Sequence, residues 1–150
     1  MKKHILLLLI LLILALTLTG CKTYEDTNGP DDLSLQTLTE ENILRGGSCT
    51  KVGSVETVAN DLHTVRTKTL NGVDTLETFS GSGSYTIQLS SEITNGNARL
   101  VLCTGDRILH DFGLNSENQS WTFTVGHSNV YLRIAGESCG FSLKYRYSWN

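Results

Sequence analysis

The chain has 150 residues, and its 12 lysines and arginines against 15 aspartates and glutamates give a formal net charge of −3 at pH 7. This length allows one domain with its own core. The acidic balance argues against nucleic acid as a partner, because phosphate binding needs a concentrated basic surface. No cofactor or metal is needed to explain folding, and we expect none.

The first twenty residues have the layout of a secretory signal. Lys2 and Lys3 precede an apolar run over 5–16, and Thr17 to Gly20 form a small-residue exit. The run is too short to span a membrane as a helix, which needs about 20 apolar residues. We therefore predict that residues 1–20 are a cleaved signal peptide and that the chain is exported. An uncleaved N-terminal anchor is the alternative.

The end of this signal carries a more specific pattern, formed by Leu18, Thr19, Gly20 and Cys21. It resembles the lipobox of bacterial lipoproteins. The resemblance implies that a dedicated signal peptidase recognises Leu18-Thr19-Gly20 and cleaves before Cys21, after the Cys21 thiol has been joined to diacylglycerol. The mature protein would then be extracytoplasmic and anchored by lipid at Cys21, in the cell membrane or in an outer membrane. Two acyl chains are enough for stable attachment.

The next segments are predicted to be a tether and a short helix. Residues 22–32 are polar and acidic and contain the only proline, so 21–36 should form a flexible, lipid-anchored tether ahead of a domain over 37–150. A capping-box pattern at 37–40, followed by Gly46, predicts a helix from about Leu38 to Arg45. Residues 46–62 fit a helix and a strand almost equally.

From Leu62 onward the pattern is that of an antiparallel sheet. Short alternating apolar runs are separated by Gly, Asn, Asp and Ser. Asn71-Gly72 predicts a hairpin turn, and Asn95-Gly96 and the segment 136–140 also separate predicted strands. Residues 100–103 are apolar on both faces, which indicates the middle of a sheet. About eight short strands predict a mainly β fold, an antiparallel β-sandwich or jelly roll, with a closed barrel as the alternative.

Two resemblances concern the predicted sheet. Five motifs are similar to those of small uncharacterised lipoproteins of Gram-positive bacteria: Gly83 to Ile87, Asn97 to Leu102, Ser120 to Phe123, Val130 to Gly136 and Phe141 to Leu143. The order of the predicted elements also resembles that of pre-peptidase C-terminal domains. This resemblance implies a jelly roll in the cell envelope and carries over no catalytic residue. The loop over 80–85 resembles the serine-glycine loop of lysozyme-inhibiting lipoproteins. Ser84 stands where that family has a basic residue.

Three cysteines follow Cys21, namely Cys49, Cys103 and Cys139. An odd number allows at most one disulfide within the chain, between Cys139 and either Cys49 or Cys103, and leaves at least one free thiol. The apolar surroundings of Cys103 predict a buried thiol. Their spacing does not match a zinc site, and we expect no metal.

The titratable residues do not form a recognisable catalytic motif. His63, His110 and His127 lie on different predicted elements, and the carboxylates are scattered among turns and solvent faces. We therefore predict a protein without enzymatic activity.

The aromatic residues at the C-terminus suggest binding instead. Tyr147 and Trp149 end a predicted strand and could project past the core, where flat rings stack on sugars or contact a protein. Together with Ser82 and Tyr85 of the glycine-serine loop, they are the candidate ligand contacts. Three function classes remain open: a glycan-binding module, a protein-directed inhibitor or adhesin, and a structural component of the envelope.

Overall fold

A computed structural model describes residues 38–47 and 49–150, which form one short helix and seven strands. The predicted signal peptide, Cys21 and the tether lie outside the described residues. The elements in chain order are α1 (Glu40–Arg45), β1 (Cys49–Val52), β2 (Val55–Ala59), β3 (Leu62–Phe79), β4 (Gly83–Cys103), β5 (Ile108–Phe112), β6 (Gln119–Val125) and β7 (Val130–Trp149). Residues 46–62, which the sequence left open, therefore supply two strands.

The seven strands form a single antiparallel sheet with β3, β7 and β4 at its centre. These three strands are 18, 20 and 21 residues long, and each crosses a bend. On one side of the bend β2 and β6 flank them, and on the other side β1 and β5 do. We call the first part, with 62–67 of β3, 83–93 of β4 and 141–149 of β7, the open half. The remainder is the helix-covered half.

The bend corrects three predictions, because the expected turns at 71–72, 95–96 and 136–140 all lie inside long strands. The pairing register shifts at these places, which marks β-bulges. Ser138 has a positive φ of 48°. Its amide donates to Asn71 Oδ1 at 2.7 Å, and its carbonyl accepts from Asn95 Nδ2 at 2.7 Å. Asn71, Asn95 and Ser138 thus join the neighbouring strands β3, β4 and β7 by hydrogen bonds at the bend.

Both halves of the sheet contribute to one apolar core. The cluster includes Leu102 and Leu132 from the helix-covered half, and Ile87 and Leu143 from the open half. Tyr145 of the open half donates its hydroxyl proton to the carbonyl of Leu76, in the other half, at 3.2 Å. The two halves therefore face each other, which confirms the predicted antiparallel β-sandwich, built from seven strands.

The helix packs on the outer face of one half. Ile43 is fully buried against a second cluster formed by Val73, Val101, Cys103 and Ala135. Thr39 is the N-cap, with its side chain accepting from Asn42 N, and Gly46 ends the helix with φ of 62°. The predicted helix is therefore confirmed, although it begins two residues later, at Glu40. No helix among the described residues is long and apolar enough to span a membrane.

One buried arginine fastens this helix to the sheet. Arg133 of β7 is only 7% exposed, and its Nη1 donates to the carbonyls of Ile43 and Leu44, both at 2.7 Å. Its guanidinium also lies over the Tyr131 ring, 4.4 Å from the centroid. A cation at these carbonyls satisfies groups that a helix C-terminus leaves unpaired. The arginine therefore links the C-terminal end of the short helix to β7.

Candidate functional site

The last residues of β7 carry apolar side chains beyond the end of the core. In an antiparallel pair, directly opposed residues point to the same face. Trp149 pairs with Tyr85, and Tyr147 pairs with Ile87, so both continue the core-facing row of Leu143 and Tyr145. Exposure nevertheless rises along the row, from 0% at Tyr145 to 38% at Tyr147 and 72% at Trp149. The sheet thus presents core-type aromatics to solvent at one end of the open half.

A group of packed rings supports this end of the sandwich. Phe79 contacts Tyr147 edge-on, with centroids 5.0 Å apart and planes at 84°, and contacts Phe123 at 5.0 Å and 73°. Tyr85 stacks on Phe123 with 5.8 Å between centroids. Edge-to-face pairs contribute about 0.5–1.5 kcal/mol each beyond their buried area. The exposed ring of Tyr147 is therefore held in a defined position.

The glycine-serine loop closes the same end. Tyr85 donates its hydroxyl proton to the Ser80 carbonyl at 3.1 Å. The Trp149 indole lies directly on Gly83, because a Cβ there would clash with Nε1. Ser82 is exposed in the turn between these contacts. The structure therefore brings all four predicted contact residues, Ser82, Tyr85, Tyr147 and Trp149, to one end of the open half.

The candidate set omitted a further exposed ring, Trp121. It is 39% exposed and pairs with Ile87 on the side opposite Tyr147, so the two aromatics flank Ile87 on the same face. Its indole stacks on His110 from the other half, with centroids 3.9 Å apart and planes at 10°. Two strand spacings separate Trp121 from Tyr147 in the sheet, about 10 Å. Sequence could show that Trp121 faces inward, but not which strands lie beside it.

The ionisable groups near this end include the hydroxyls of Tyr145 and Tyr147 and the carboxylate of Glu77. Burial raises the pKa of the Tyr147 hydroxyl, and the negative charge of Glu77 raises it further. Burial, with Glu77 next, also raises the pKa of Tyr145 far above its usual range. Both phenols are protonated at neutral pH, as tyrosine ordinarily is, and can donate hydrogen bonds.

The histidines occupy separate environments. His63 stacks on Tyr145 with centroids 4.7 Å apart, and its Nδ1 lies 3.9 Å from Glu56 Oε1. His110 lies between Trp121 and Phe112, while His127 is exposed in the loop after β6. Within the described residues, no hydrogen bond or ion pair joins two of them. The same part of the chain contains no group of three His, Cys, Asp or Glu residues arranged to hold a metal ion.

The three described cysteines are free thiols. Cys103 is buried in the cluster beneath the helix, whereas Cys139 is buried in the core between the halves. A bridge between these two would require one thiol to leave its cluster. Burial raises the pKa of all three, to about 11 for Cys139. Cys49 is the least enclosed, since it is only half-buried.

Comparison with known proteins does not assign a family. No protein-family model matches the chain, and no curated protein matches it. The lipobox residues Leu18, Thr19, Gly20 and Cys21 lie outside the described part of the chain, so the expectations attached to them remain predictions.

Proposed function

We propose that this protein is a lipid-anchored, non-catalytic binding module of the bacterial cell envelope that contacts a glycan through its aromatic end. One observation carries the proposal. Tyr147, Trp149 and Trp121 all lie on the core-facing side of the open half, yet each is more than a third exposed. Aromatic rings in this position leave apolar surface in water, which is typical of a binding site.

The chemistry of this surface suits a neutral sugar. Indole and phenol rings provide flat apolar faces, and the polar tips of tyrosine and tryptophan hydrogen-bond to hydroxyl groups. The Tyr147 hydroxyl is protonated at neutral pH, as tyrosine ordinarily is, and can donate a hydrogen bond. Ring packing against Phe79 fixes Tyr147 before any ligand arrives, which lowers the entropy lost on binding.

A co-sedimentation experiment tests this proposal. Residues 22–150 are mixed with purified peptidoglycan or insoluble polysaccharides at two salt concentrations. We expect salt-resistant retention, and we expect Trp149→Ala or Tyr147→Ala to weaken it about tenfold, as truncation of central interface aromatics does. Val58→Ala is the control, since Val58 is an exposed apolar residue elsewhere in the open half. A protein that stays in the supernatant would overturn the glycan proposal.

The envelope location rests on the signal sequence and the lipobox resemblance. A lipidated Cys21 would hold the domain at the membrane surface through two acyl chains, with residues up to 36 as a spacer. Cys21→Ala should abolish labelling with palmitate and release the protein or block its processing. Continued palmitate labelling of that variant would remove the lipoprotein proposal.

The protein-directed inhibitor is the second candidate, with lysozyme as the partner to test after a negative glycan result. The observation in its favour is the exposed turn at 80–82, which carries Ser82. Tyr85 weighs against it, because its half-buried ring stacks on Phe123 and its hydroxyl is hydrogen-bonded within the loop. A structural role in the envelope is the third candidate.

A further inference from the structure

A second surface lies on the opposite side of the open half, where Gln88, Lys144 and Arg146 are exposed. The outward positions of β4 and β7 there are polar, and a groove of about 680 Å³ runs over them. Lys144 opposes Ser90, and Arg146 opposes Gln88. The groove is lined by Leu62, Gln88, Leu89, Ser90, Glu117, Asn118, Lys144 and Arg146.

The cations of this face differ from three others among the described residues, which are paired with carboxylates. Arg45, Lys51 and Arg99 each form an ion pair with a carboxylate, at 2.6, 2.8 and 2.6 Å. Lys144 and Arg146 form no ion pair with any described residue. Arg66, which lines an adjoining groove together with Lys144, forms none either. These cations of the open half are therefore available to an anion from outside.

The neighbouring groups set the shape and charge of the site. Arg146 donates from Nε to Gln88 Oε1 at 2.9 Å, which orients the guanidinium. Glu117 lines the same groove as Lys144 and Arg146, and Glu92 lines the adjoining groove together with Arg66. A flat anionic surface would bring negative charge against these two carboxylates. A single polymer chain with its anionic groups at Lys144 and Arg146 need not place another against Glu92, whereas a membrane surface would face both carboxylates.

We infer that this groove binds a polyol or sugar polymer that carries phosphate or carboxylate groups. Guanidinium pairs bidentately with planar or tetrahedral oxyanions, and an ammonium group accepts the same anions as a point charge. The amide of Gln88 and the hydroxyl of Ser90, which lie beside these cations, hydrogen-bond to ligand hydroxyls. The observation that carries the inference is the placement of two cations without ion pairs, Lys144 and Arg146, beside the polar side chains of Gln88, Ser90 and Asn118 in one groove.

This surface is separate from the aromatic end. Side chains alternate between the two faces of a strand, so Lys144 and Arg146 point away from the face of Tyr145 and Tyr147. The inference therefore does not rest on the proposed function, and Trp149→Ala should leave binding of an anionic polymer unchanged.

Binding to defined polymers tests the inference. The purified full chain is titrated with polyglycerol phosphate and with polygalacturonate, and with dextran as the uncharged polymer. We expect binding to at least one anionic polymer and none to dextran. The double variant Lys144→Gln/Arg146→Gln should weaken binding about tenfold, the effect of losing two exposed charge pairs. Added salt should reduce binding of the wild-type protein more than that of the variant.

The matched control is Arg45→Gln/Arg107→Gln, which removes the same charge from exposed positions outside the groove. An equal loss in this control would overturn the inference, because net charge alone would then explain binding. Absence of binding to both anionic polymers would also overturn it. Stronger binding to phosphatidylglycerol vesicles than to either polymer would do the same, since the groove would then face a membrane.

Discussion

The helix-covered half and the open half are built from the same three long strands, but their outer faces differ. In the covered half, outward residues such as Val101 and Ala135 are apolar and fully buried under α1. In the open half, outward residues such as Gln88, Lys144 and Arg146 are polar and exposed. Strand β4 therefore changes from apolar on both faces at 100–103 to alternating at 84–92 when it crosses the bend. The pattern of apolar and polar side chains along β4 therefore shows which segment lies in each half.

The difference explains where binding surfaces can lie. Covering the outer face of one half uses a six-residue helix and one buried arginine. The other half keeps its outer face accessible, and its inner face continues past the core to Trp149. Both proposed surfaces therefore belong to the open half. The covered half packs against the inner face of the open half in the shared core.

The largest expected effect comes from breaking the bend that separates the halves. Gly96 has φ of 70°, and a Cβ there would clash with the backbone carbonyl of Ser138. Gly96→Ala should lower the free energy of unfolding by about 3 kcal/mol or more, because both backbone strain and a steric clash with main chain result. Urea denaturation followed by circular dichroism measures this change.

Gly105→Ala is the control for this substitution, since no atom lies within 4 Å of a Cβ at Gly105. We expect the control to alter stability by less than about 1 kcal/mol. Equal effects of the two substitutions would show that the close approach of Gly96 to the Ser138 backbone does not stabilise the bend.

A smaller effect is expected from releasing the helix. Arg133→Met removes both hydrogen bonds to the carbonyls of Ile43 and Leu44. The cost should be about 2–3 kcal/mol, because these carbonyls lose a charged donor. Hydrogen exchange should accelerate in residues 40–46 and remain slow in the strands of the open half. Uniform acceleration across the sheet would contradict a local role for Arg133.

The smallest effect concerns thiol reactivity. In residues 22–150 at pH 8, an alkylating reagent should modify Cys49 first, because Cys103 and Cys139 are fully buried. Burial also disfavours the Cys139 thiolate and raises its pKa from 9.0 to about 11, so Cys139 should be labelled slowly in the folded protein. Arg133→Met should expose Cys103 beneath the helix and leave Cys139 protected. Early labelling of Cys139 in the wild-type protein would contradict this order.

Several features could be predicted because they depend on local pattern. The two-sided apolar run at 100–103 does lie beside central strand β7, and Gly46 does end a helix. The predictions at Asn71-Gly72 and Asn95-Gly96 were wrong for a local reason. Asn-Gly favours positive φ both in a hairpin turn and in a bulge, so the dipeptide could not tell the two apart. Only the pairing of three strands at Ser138 decides between them.

The amino-acid sequence by itself determined a mainly β sandwich, the inward direction of Tyr147 and Trp149, and the signal pattern ending at Cys21. These follow from alternation and composition, which act over a few residues. The tertiary structure decided that Trp121 lies across Ile87 from Tyr147, and that Arg133 fastens the helix. Such contacts join residues far apart in the chain. They depend on strand order and on the bend, which no local pattern specifies.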